Sequence, residues 1–358
     1  MRRLGRIISI FAVLLIAPVV GMGVSTYVIN VANEAEDPSF TSINNFWEQI
    51  DLTGESLVSA NVYAKESQLE VYNMFVNATN DSNAYKSYLE NVDSIIASSA
   101  SQKTQSDIVL EQVLSNLLGA PIATHKGTNS AIKIYTLDGV DYRGYMAKIT
   151  PYTSRALNIV LAEDQLISKG EKTSNAAQRK GGILAINAGG FMSIGSGKLQ
   201  PLGLTVVDGK VMQFSTEESL TFVGFNSSGK LVSKKYKTAA EVVADRIKQG
   251  ASFSPTLLKD GKKVAIPAKW ASAKEPRTII GSFSNDDILI IVIDGRRSGW
   301  SEGVTLAEVQ DKLLSFKIKN AYNLDGGGSS AFYYDGKILN KPSSGTERLV
   351  TTNLVILP

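Results

Sequence analysis

Three apolar runs of this chain end in polar residues whose side chains are suited to binding or acid–base chemistry. These endings are Asn187, Asp294 and Asp325, and a glycine follows each of them within two residues. Continuous apolar runs are typical of buried central strands, and polar residues followed by glycine at strand ends commonly line a ligand crevice. Asn187 or Asp294 could also simply begin a turn, but the recurrence of the pattern on three strands favours a crevice.

The third ending leads into the glycine-rich segment 325–330, which reads Asp-Gly-Gly-Gly-Ser-Ser. Three glycines allow the backbone to adopt positive φ angles and to approach a ligand closely, and successive N–H groups in such a turn can form an anion-binding nest. The segment lacks the Gly-Lys-Ser/Thr ending of a Walker loop. A flexible linker is the alternative, but the segment lies between an apolar strand and the run Ala331–Tyr334, which favours a binding loop.

Composition narrows the chemistry that this chain can perform. It has 358 residues, no Cys and a single His, His125. Thiol nucleophiles, disulfides and Cys-ligated metals are therefore excluded, as are His-rich zinc sites, and a Ser-His-Asp triad is left as a formal option only. Catalysis must rely mainly on carboxylates, Asn, Arg, Ser, Tyr and backbone amides.

Charge divides the chain into three segments. The totals of 37 Lys+Arg and 34 Asp+Glu give a formal net charge of +3. Residues 1–32 carry three Arg and no acidic residue, residues 33–120 hold 3 basic and 13 acidic residues, and residues 121–358 hold 31 basic and 21 acidic residues. The net charges are therefore +3, −10 and +10, and we interpret the three segments as separate domains.

Residues 1–32 are predicted to form a cytoplasmic tip and a transmembrane signal anchor. The run from Ile7 to Ala32 has 26 residues and no charge, and about 20 apolar residues suffice for a helix to cross a bilayer. The Arg residues before this run and the acidic residues after it place the N-terminus in the cytoplasm. We therefore expect a single-pass protein of the cell membrane with its distal domain extracellular; a cleaved signal peptide is the alternative.

Residues 33–120 are predicted to form an acidic helical spacer. Apolar residues such as Leu69, Tyr72 and Phe75 recur at helix-like intervals, and Gly119 is a suitable helix stop. A solvated stalk and a partner-binding or oligomerising segment are both consistent with this pattern.

Residues 121–358 are predicted to form a mixed, β-rich catalytic domain of the α+β class with a few packed helices. A capping box at Thr305 and Glu308 predicts the start of one helix, and Ser174 is a suitable cap for another that ends near Gly181. Asp-Gly pairs between strand-like runs indicate hairpins. These pairs are Asp138-Gly139, Asp208-Gly209, Asp260-Gly261 and Asp335-Gly336.

Several ordered blocks of this domain resemble the phosphodiester glycosidase family, which includes uncovering-enzyme-like hydrolases and bacterial exopolysaccharide-associated or cell-surface proteins. The resemblance covers roughly residues 122–358 and does not extend to the anchor or the spacer. The blocks are Gly170–Ser174, Ala185–Phe191, Pro276–Gly281, Ile293–Arg296, Gly303–Glu308, Asn323–Ser330 and Glu347-Arg348.

The resemblance implies hydrolysis of a sugar-1-phosphodiester; N-acetylglucosamine is the typical sugar of the animal members of the family. The glycosyl C1–O bond to phosphate breaks, and free sugar is released. A surface glycan or cell-wall polymer carrying sugar phosphates is the expected substrate, since it suits a basic extracellular domain. A non-catalytic module that binds phosphorylated glycans, and a phosphodiesterase that releases sugar-1-phosphate, are the alternatives.

The residues of the matching blocks can be assigned roles under this resemblance. Asp325 and Asp294 are the expected catalytic carboxylates, with Asp325 favoured as base or nucleophile. Arg277 and Arg348 are expected to clamp the phosphate, because a guanidinium binds two phosphate oxygens at once. The other expected substrate-binding residues are Asn187 and Asn323, for sugar hydroxyls or for orienting a carboxylate, and Gly327, Gly328, Ser329 and Ser330 of the glycine-rich loop.

No cofactor is required by these residues. A divalent cation, Ca²⁺ or Mg²⁺, on Asp294 or Asp325 is an alternative, because these ions prefer oxygen ligands. The expected partners are a phosphorylated glycan and, through the N-terminal helix, the membrane. Nucleic acid is not expected, because the basic residues are scattered and no aromatic-interleaved groove is evident.

Overall fold

β-strands dominate the part of the chain that the computed structural model describes, which comprises residues 111–112, 114–216 and 219–358. The first ten strands are β1 (Ala123–Lys126), β2 (Ser130–Asp138), β3 (Arg143–Pro151), β4 (Leu157–Leu161), β5 (Leu184–Asn187), β6 (Phe191–Gly195), β7 (Lys198–Pro201), β8 (Thr205–Val207), β9 (Lys210–Gln213) and β10 (Thr221–Asn226). The next ten are β11 (Leu231–Lys234), β12 (Ile247–Phe253), β13 (Thr256–Lys259), β14 (Lys262–Lys263), β15 (Arg277–Ser282), β16 (Ile288–Ile293), β17 (Asn320–Leu324), β18 (Phe332–Tyr334), β19 (Lys337–Ile338) and β20 (Thr352–Ile356). The α-helices that follow β1 along the chain are α1 (Thr173–Lys180), α2 (Ala239–Ala244), α3 (Ala268–Ala271) and α4 (Leu306–Ser315). This content agrees with the predicted β-rich α+β domain.

The strands form three main sheets and a two-stranded ribbon. The first sheet has the order β1-β2-β3-β16-β15-β17-β13-β14, the second β11-β10-β12-β8-β9 and the third β19-β18-β5-β20-β4, while β6 and β7 pair with each other. Each of these neighbouring strand pairs in the described residues is antiparallel. Because β5, β16 and β17 each lie between two other strands, the prediction that their apolar runs are central strands is confirmed.

One hydrophobic core joins the three sheets. Every residue of β16 is buried, as expected for a run of Ile, Leu and Val that is covered on both faces. Side chains from the first sheet, such as Ile290, pack in the same cluster as Leu354 of the third sheet and Val223 of the second. This shared core fixes the sheets against one another and so sets the positions of their strand ends.

The Asp-Gly pairs connect hairpins at all four predicted places. Three of them are two-residue turns in which both Asp and Gly have positive φ, joining β8 to β9, β13 to β14 and β18 to β19. This geometry matches the right-handed twist of paired strands. The fourth pair belongs to a longer connection, since Asp138 pairs with Arg143 across β2 and β3.

The two predicted helices are present, but one of them begins differently from the prediction. Thr305 and Glu308 form the complete capping box of α4, and this prediction is confirmed. In α1, Ser174 is not the cap: the cap position is Lys172, whose side chain makes no capping hydrogen bond. Instead the Glu347 carboxylate accepts hydrogen bonds from the Ser174 N–H at 2.8 Å and the Ser174 Oγ at 2.5 Å. One of the unpaired N–H groups in the first turn of this helix is thus satisfied by a residue far away in sequence.

The predicted transmembrane anchor, residues 1–32, lies outside the described residues, as does most of the predicted spacer. Within the described part, no helix combines the length and apolarity that crossing a bilayer requires. Residues 114–118 are helical, and Gly119 follows them in a left-handed conformation with φ +83°. Leu114–Pro358 form one compact unit.

Candidate active site

The strand ends singled out in the sequence meet where the first and third sheets adjoin. Arg277 at the start of β15 pairs with Ile293 at the end of β16, and Thr278 pairs with Leu324 at the end of β17. Asp294 and Asp325 therefore project from the same edge of the first sheet. The N–H of Asp325 donates to the carbonyl of Ala188, just beyond β5 of the third sheet, at 2.9 Å.

Asn187 holds these two sheets together at the site. Its side chain is fully buried; the Nδ2 group donates to the carbonyl oxygen of Asp325. Its Oδ1 accepts from the Thr278 hydroxyl at 2.9 Å and from the Ala331 N–H at 3.1 Å. Both ends of the amide are thus engaged by protein groups. Of the two predicted roles, this geometry favours orienting the carboxylate-bearing loop over binding a sugar hydroxyl.

Asp325 lies at the rim of this junction, partly open to solvent. Burial of the carboxyl raises the pKa of Asp325 to about 6, and Ser329, Arg348 and the Gly326 backbone act in the opposite direction. The Ser329 hydroxyl is buried beside this carboxylate. A carboxyl group with this pKa is mostly ionised at neutral pH, as a nucleophile must be, and is more basic than an ordinary Asp, which suits a general base.

The glycine-rich loop turns tightly against the start of β15. The loop contains a single 3-10 turn, Gly327–Ser329, and the N–H of Gly327 donates to Pro276 O at 2.9 Å. A Cβ at Gly326 would lie 2.8 Å from the same carbonyl, so only glycine fits there. The Ser329 N–H donates to Gly326 O at 3.1 Å. The structure therefore uses two of the expected backbone donors internally and leaves the N–H of Gly328 as the loop's candidate for a ligand.

Ser330 closes this loop inside the protein. Its side chain is buried, its Oγ lies 3.3 Å from the Thr278 hydroxyl oxygen, and its carbonyl accepts a hydrogen bond from Asn340 Nδ2 at 3.1 Å. The residue thus supports the loop from behind. Its predicted contact with substrate stays a prediction.

Arg348 covers the loop from the solvent side. The side chain is exposed, its Cδ lies beside Gly328, and its guanidinium carbon is 4.9 Å from the centroid of the Phe191 ring. Stacking on an aromatic ring orients a guanidinium without consuming its hydrogen-bond donors. The structure therefore places Arg348 next to Asp325 with its guanidinium donors exposed, and its predicted contact with phosphate stays a prediction.

Arg277 is buried behind the site. Its Nε donates to Val304 O at 3.1 Å and its Nη2 to Ala273 O at 2.7 Å. Burial lowers the pKa of Arg277, Glu275 opposes this effect, and the positive charge of Arg296 adds to it. The guanidinium is engaged in holding the chain segments around β15, so a phosphate contact by Arg277 stays a prediction.

Arg296 is the cation at the loop that the sequence reasoning did not select. A Cβ at Gly327 would lie 3.4 Å from Nη2 of Arg296, so the guanidinium lies directly against the glycine-rich loop. Its Nε donates to Glu275 Oε2 at 2.5 Å, and its side chain is 53% exposed. The Gly-Arg-Arg sequence after the β16 run was the available signal, since it places cations at the same sheet edge as Asp294.

Asp294 differs from Asp325 because protein hydrogen-bond donors already occupy both oxygens of its carboxylate. The side chain is 1% exposed; it accepts hydrogen bonds from Asn340 Nδ2 at 3.0 Å, Trp300 Nε1 at 2.9 Å and the Lys341 N–H at 2.9 and 3.1 Å. A buried carboxylate whose two oxygens are both engaged by protein donors is inaccessible to a substrate. The geometry assigns Asp294 to organising the site, and its predicted catalytic role stays a prediction.

Asn323 lies in β17, two residues before the glycine-rich segment begins. Its Nδ2 donates to Ser254 O at 2.8 Å, while its buried Oδ1 has no hydrogen-bond partner. Contact with substrate stays a prediction for this residue. In the described part of the chain, no group of three or more Asp, Glu, His or Cys side chains is arranged to hold a metal ion.

Comparison with known proteins identifies the domain that carries this site. The phosphodiester glycosidase family model matches residues 180–357. The SPbeta prophage-derived protein YomE of Bacillus subtilis is 30% identical over 242 residues, which cover 61% of this chain and 36% of YomE. Human N-acetylglucosamine-1-phosphodiester alpha-N-acetylglucosaminidase is 33% identical over 76 residues, 21% of this chain and 14% of the enzyme. This chain thus aligns with only about a third or less of the length of these relatives.

A solved structure supports the same fold. The catalytic domain of the zebrafish N-acetylglucosamine-1-phosphodiester alpha-N-acetylglucosaminidase, auto-inhibited by its pro-peptide, superposes with a TM-score of 0.55 at 19% identity. The match covers 66% of this chain and 87% of that domain. The family match identifies residues 180–357 as a phosphodiester glycosidase domain, and the structural likeness supports its fold.

Proposed function

We propose that this protein hydrolyses the C1–O bond of a sugar-1-phosphodiester in a surface glycan or cell-wall polymer. Family membership supports a hydrolase that acts on phosphodiester-linked sugars. The observation that carries the proposal is the position of Asp325, a carboxyl group with a pKa of about 6 beside Arg348 and the glycine-rich loop. N-acetylglucosamine is the proposed sugar, because two mammalian relatives are named for it.

The reaction needs one carboxylate and cations at the phosphate. Asp325 either attacks C1 or removes a proton from the attacking water; in both cases the C1–O bond breaks and its electron pair stays on the phosphate oxygen. Water supplies the new hydroxyl at C1, and its second proton passes through Asp325 to solvent. Glycosidases usually add a second carboxyl as acid. A phosphomonoester ionises near pH 6, so its oxygen departs with little protonation.

Arg296 and Arg348 are the proposed phosphate ligands. Both guanidinium groups lie against the glycine-rich loop, and both side chains are exposed. A guanidinium stabilises charge that develops on the departing phosphate, and this interaction strengthens in the transition state. Arg277, Asn187 and Asp294 serve as positioning residues, since each is buried and bonded to the backbone of the site.

The proposed location is the outer face of the cell membrane. The support is the charge pattern of residues 1–32, three Arg before a 26-residue uncharged run, which favours an anchor with a cytoplasmic N-terminus. This arrangement would present the catalytic domain to extracellular phosphorylated glycans.

Product analysis tests the proposed activity. The purified full chain is incubated with a methyl phosphodiester of N-acetylglucosamine-1-phosphate, and the products are separated by mass. Free reducing sugar and methyl phosphate are expected. Sugar-1-phosphate would instead indicate a phosphodiesterase, and binding without turnover of this and of polymeric substrates would indicate a binding module.

Matched variants test the assignment of Asp325. Asp325→Asn is expected to lower kcat by at least about a thousandfold, because a neutral amide can neither attack C1 nor accept a proton. Asp335→Asn is the control, since Asp335 lies in the turn after β18 with positive φ, a conformation that Asn tolerates. Full activity of Asp325→Asn would remove Asp325 from the mechanism.

A further inference from the structure

A second cluster of cations surrounds Trp300, on the turn that follows β16. The Nζ atom of Lys341 lies 3.3 Å from the centroid of the Trp300 ring, and the guanidinium carbon of Arg143 lies 4.5 Å from it. Both cations are exposed, and Trp300 is partly buried. These distances are typical of strong cation–π contacts, which hold flexible side chains in fixed positions.

The buried Asp294 holds this cluster in place through hydrogen bonds. Its carboxylate accepts the Trp300 indole N–H at 2.9 Å and the backbone N–H of Lys341 at 2.9 and 3.1 Å. The same residue's carbonyl accepts from Ser301 Oγ at 2.6 Å, and Ser301 Oγ also accepts from the Arg143 N–H at 3.1 Å. Asp294 therefore fixes the Trp300 indole and the Lys341 backbone directly and the Arg143 backbone through Ser301, and the cluster is pre-organised.

The cluster carries excess positive charge. Within the described residues, Arg143, Lys341 and the neighbouring Arg297 form no ion pair with an acidic side chain within 4 Å. Asp138, the cross-strand neighbour of Arg143, is not bonded to it. The negative charge of Asp294 compensates only one of these three positive charges. Unpaired like charges repel one another, so a site that gathers them is suited to bind an anion.

This cluster adjoins the proposed active site. Arg297 directly follows Arg296, which lies against Gly327 of the glycine-rich loop. Asn340 connects the two regions, since its Nδ2 donates both to Asp294 Oδ1 at 3.0 Å and to Ser330 O at 3.1 Å. Arg143 begins β3 at the same sheet edge as the end of β16. Successive phosphates of one polymer could therefore contact Arg348 and Arg296 first, then Arg297, and then the cations at Trp300.

We propose that Arg143 and Lys341, held by Trp300 and Asp294, form a second phosphate subsite that binds the neighbouring repeat of a polymeric glycosyl phosphate. The inference rests on the proposed function, and it narrows the substrate from a small phosphodiester to a polymer. Phosphate oxygens accept charge-assisted hydrogen bonds from guanidinium and ammonium groups. With both cations positioned in advance, little conformational entropy is lost when the polymer binds.

Binding measurements on inactive protein test the subsite without relying on turnover. The full chain carrying Asp325→Asn is titrated with a trimer of N-acetylglucosamine joined through 1-phosphodiester links and, separately, with the methyl phosphodiester monomer. Adding Arg143→Met and Lys341→Met is expected to weaken trimer binding about tenfold, and to make its salt dependence shallower because fewer counterions are released. Monomer affinity is expected to change less than about twofold, since Arg296 and Arg348 bind its single phosphate.

Controls separate lost charge from lost structure. Lys210→Met removes an exposed lysine from the start of β9 in the second sheet and should leave the trimer affinity unchanged. Arg143→Lys with Lys341→Arg keeps both charges and should restore most of the trimer affinity. Equal trimer affinity in the Met pair and in Lys210→Met would overturn the subsite, even if the wild-type chain hydrolyses the monomer. Failure of the wild type to release sugar would instead refute the proposed function and leave the binding comparison valid.

Discussion

At neutral pH the Asp325 carboxyl is ionised although it is partly buried, and this lowers the stability of the folded protein. The unfolded carboxyl has a pKa near 3.8, whereas burial raises the folded pKa to about 6. Above pH 6 the ionised carboxylate is retained at a free-energy cost of at most about 3 kcal/mol, which partial solvent exposure reduces. Such a cost is characteristic of residues selected for function rather than for stability.

Replacing this carboxyl with an amide is therefore expected to stabilise the protein. Asp325→Asn should raise the free energy of unfolding by roughly 1–3 kcal/mol at pH 7.5. The gain should shrink below pH 6, as the folded carboxyl becomes protonated, and vanish below about pH 3.8, where both states are protonated. Urea unfolding of both proteins at pH 7.5 and 4.5 measures the difference, and a gain independent of pH would contradict the raised pKa.

The same proton sets the pH dependence of catalysis. A base or nucleophile must be ionised, so kcat/KM should fall about tenfold for each pH unit below about 6. The profile is measured between pH 4.5 and 8 with the monomeric phosphodiester. Activity that rises towards low pH would mean that Asp325 acts as a proton donor.

The Arg348 guanidinium is charged, can form two parallel hydrogen bonds with a phosphate, and stacks on Phe191. Different substitutions at this position separate these three properties. Arg348→Met should lower kcat/KM about a hundredfold, because it removes a phosphate ligand. Arg348→Lys keeps the charge but loses the fork and the stacking on Phe191, so an intermediate loss of about tenfold is expected. Arg155→Met, at an exposed position after β3, is the control. Equal activity of the Met and Lys variants would show that charge at position 348 is unimportant.

Individual site residues were predictable where local sequence determines their surroundings. Asp325 was found because it ends an apolar strand and begins a glycine-rich turn. Arg296 was missed because its role depends on the approach of the loop at Gly327, which comes from a different strand. The burial of Arg277 likewise depends on carbonyls of residues 273 and 304, and no local pattern reveals whether an arginine faces the solvent or the backbone.

At the scale of elements, α1 is coupled to the site through its N-terminus. Glu347 accepts hydrogen bonds from the backbone and hydroxyl of Ser174, and Arg348 is the next residue in the chain. A carboxylate at a helix N-terminus also interacts favourably with the helix dipole. The cap therefore fixes the backbone of the segment that carries the proposed phosphate ligand.

Removal of this cap should affect both stability and catalysis. Glu347→Ala is expected to lower the free energy of unfolding by about 1 kcal/mol and, by freeing Arg348, to raise KM several-fold. Thr305→Ala removes the equivalent cap of α4 and should cause a similar loss of stability with little change in KM. Urea unfolding and steady-state kinetics of both variants provide the comparison. An unchanged KM in Glu347→Ala would show that the cap is purely structural.

Secondary-structure elements were predictable where the residues that determine them are close together in the sequence. The Asp-Gly turns and the Thr305 capping box involve neighbouring residues, and both were located correctly. The cap of α1 involves residues 173 positions apart, and the sequence reasoning therefore assigned it to Ser174, the nearest suitable side chain. The same limit applies to the sheet order, in which β16 lies between β3 and β15 although more than a hundred residues separate it from β3.

At the scale of the whole molecule, positive charge gathers at the strand ends that bear the site. Arg143, Arg296, Arg297, Lys341 and Arg348 all lie around the edge where β3, β16 and β17 begin or end. The net charge of +10 for residues 121–358 is thus partly concentrated near the proposed site. A basic surface raises the local concentration of polyanions and speeds their association. The acidic residues 33–120 carry the opposite charge, so only the distal domain is suited to attract such a substrate.

The location proposed for this domain can be tested on cells that express the full chain with a tag at each end. The charge pattern of residues 1–32 predicts that protease added to intact cells degrades the C-terminal tag and spares the N-terminal one. Deletion of residues 1–32 should retain the protein inside the cell, where both tags are protected. Exchange of Arg2, Arg3 and Arg6 for Glu should reduce correct orientation, since these are the residues predicted to hold the N-terminus in the cytoplasm. Protection of the C-terminal tag in the wild type would refute the extracellular assignment and, with it, a surface glycan as the substrate.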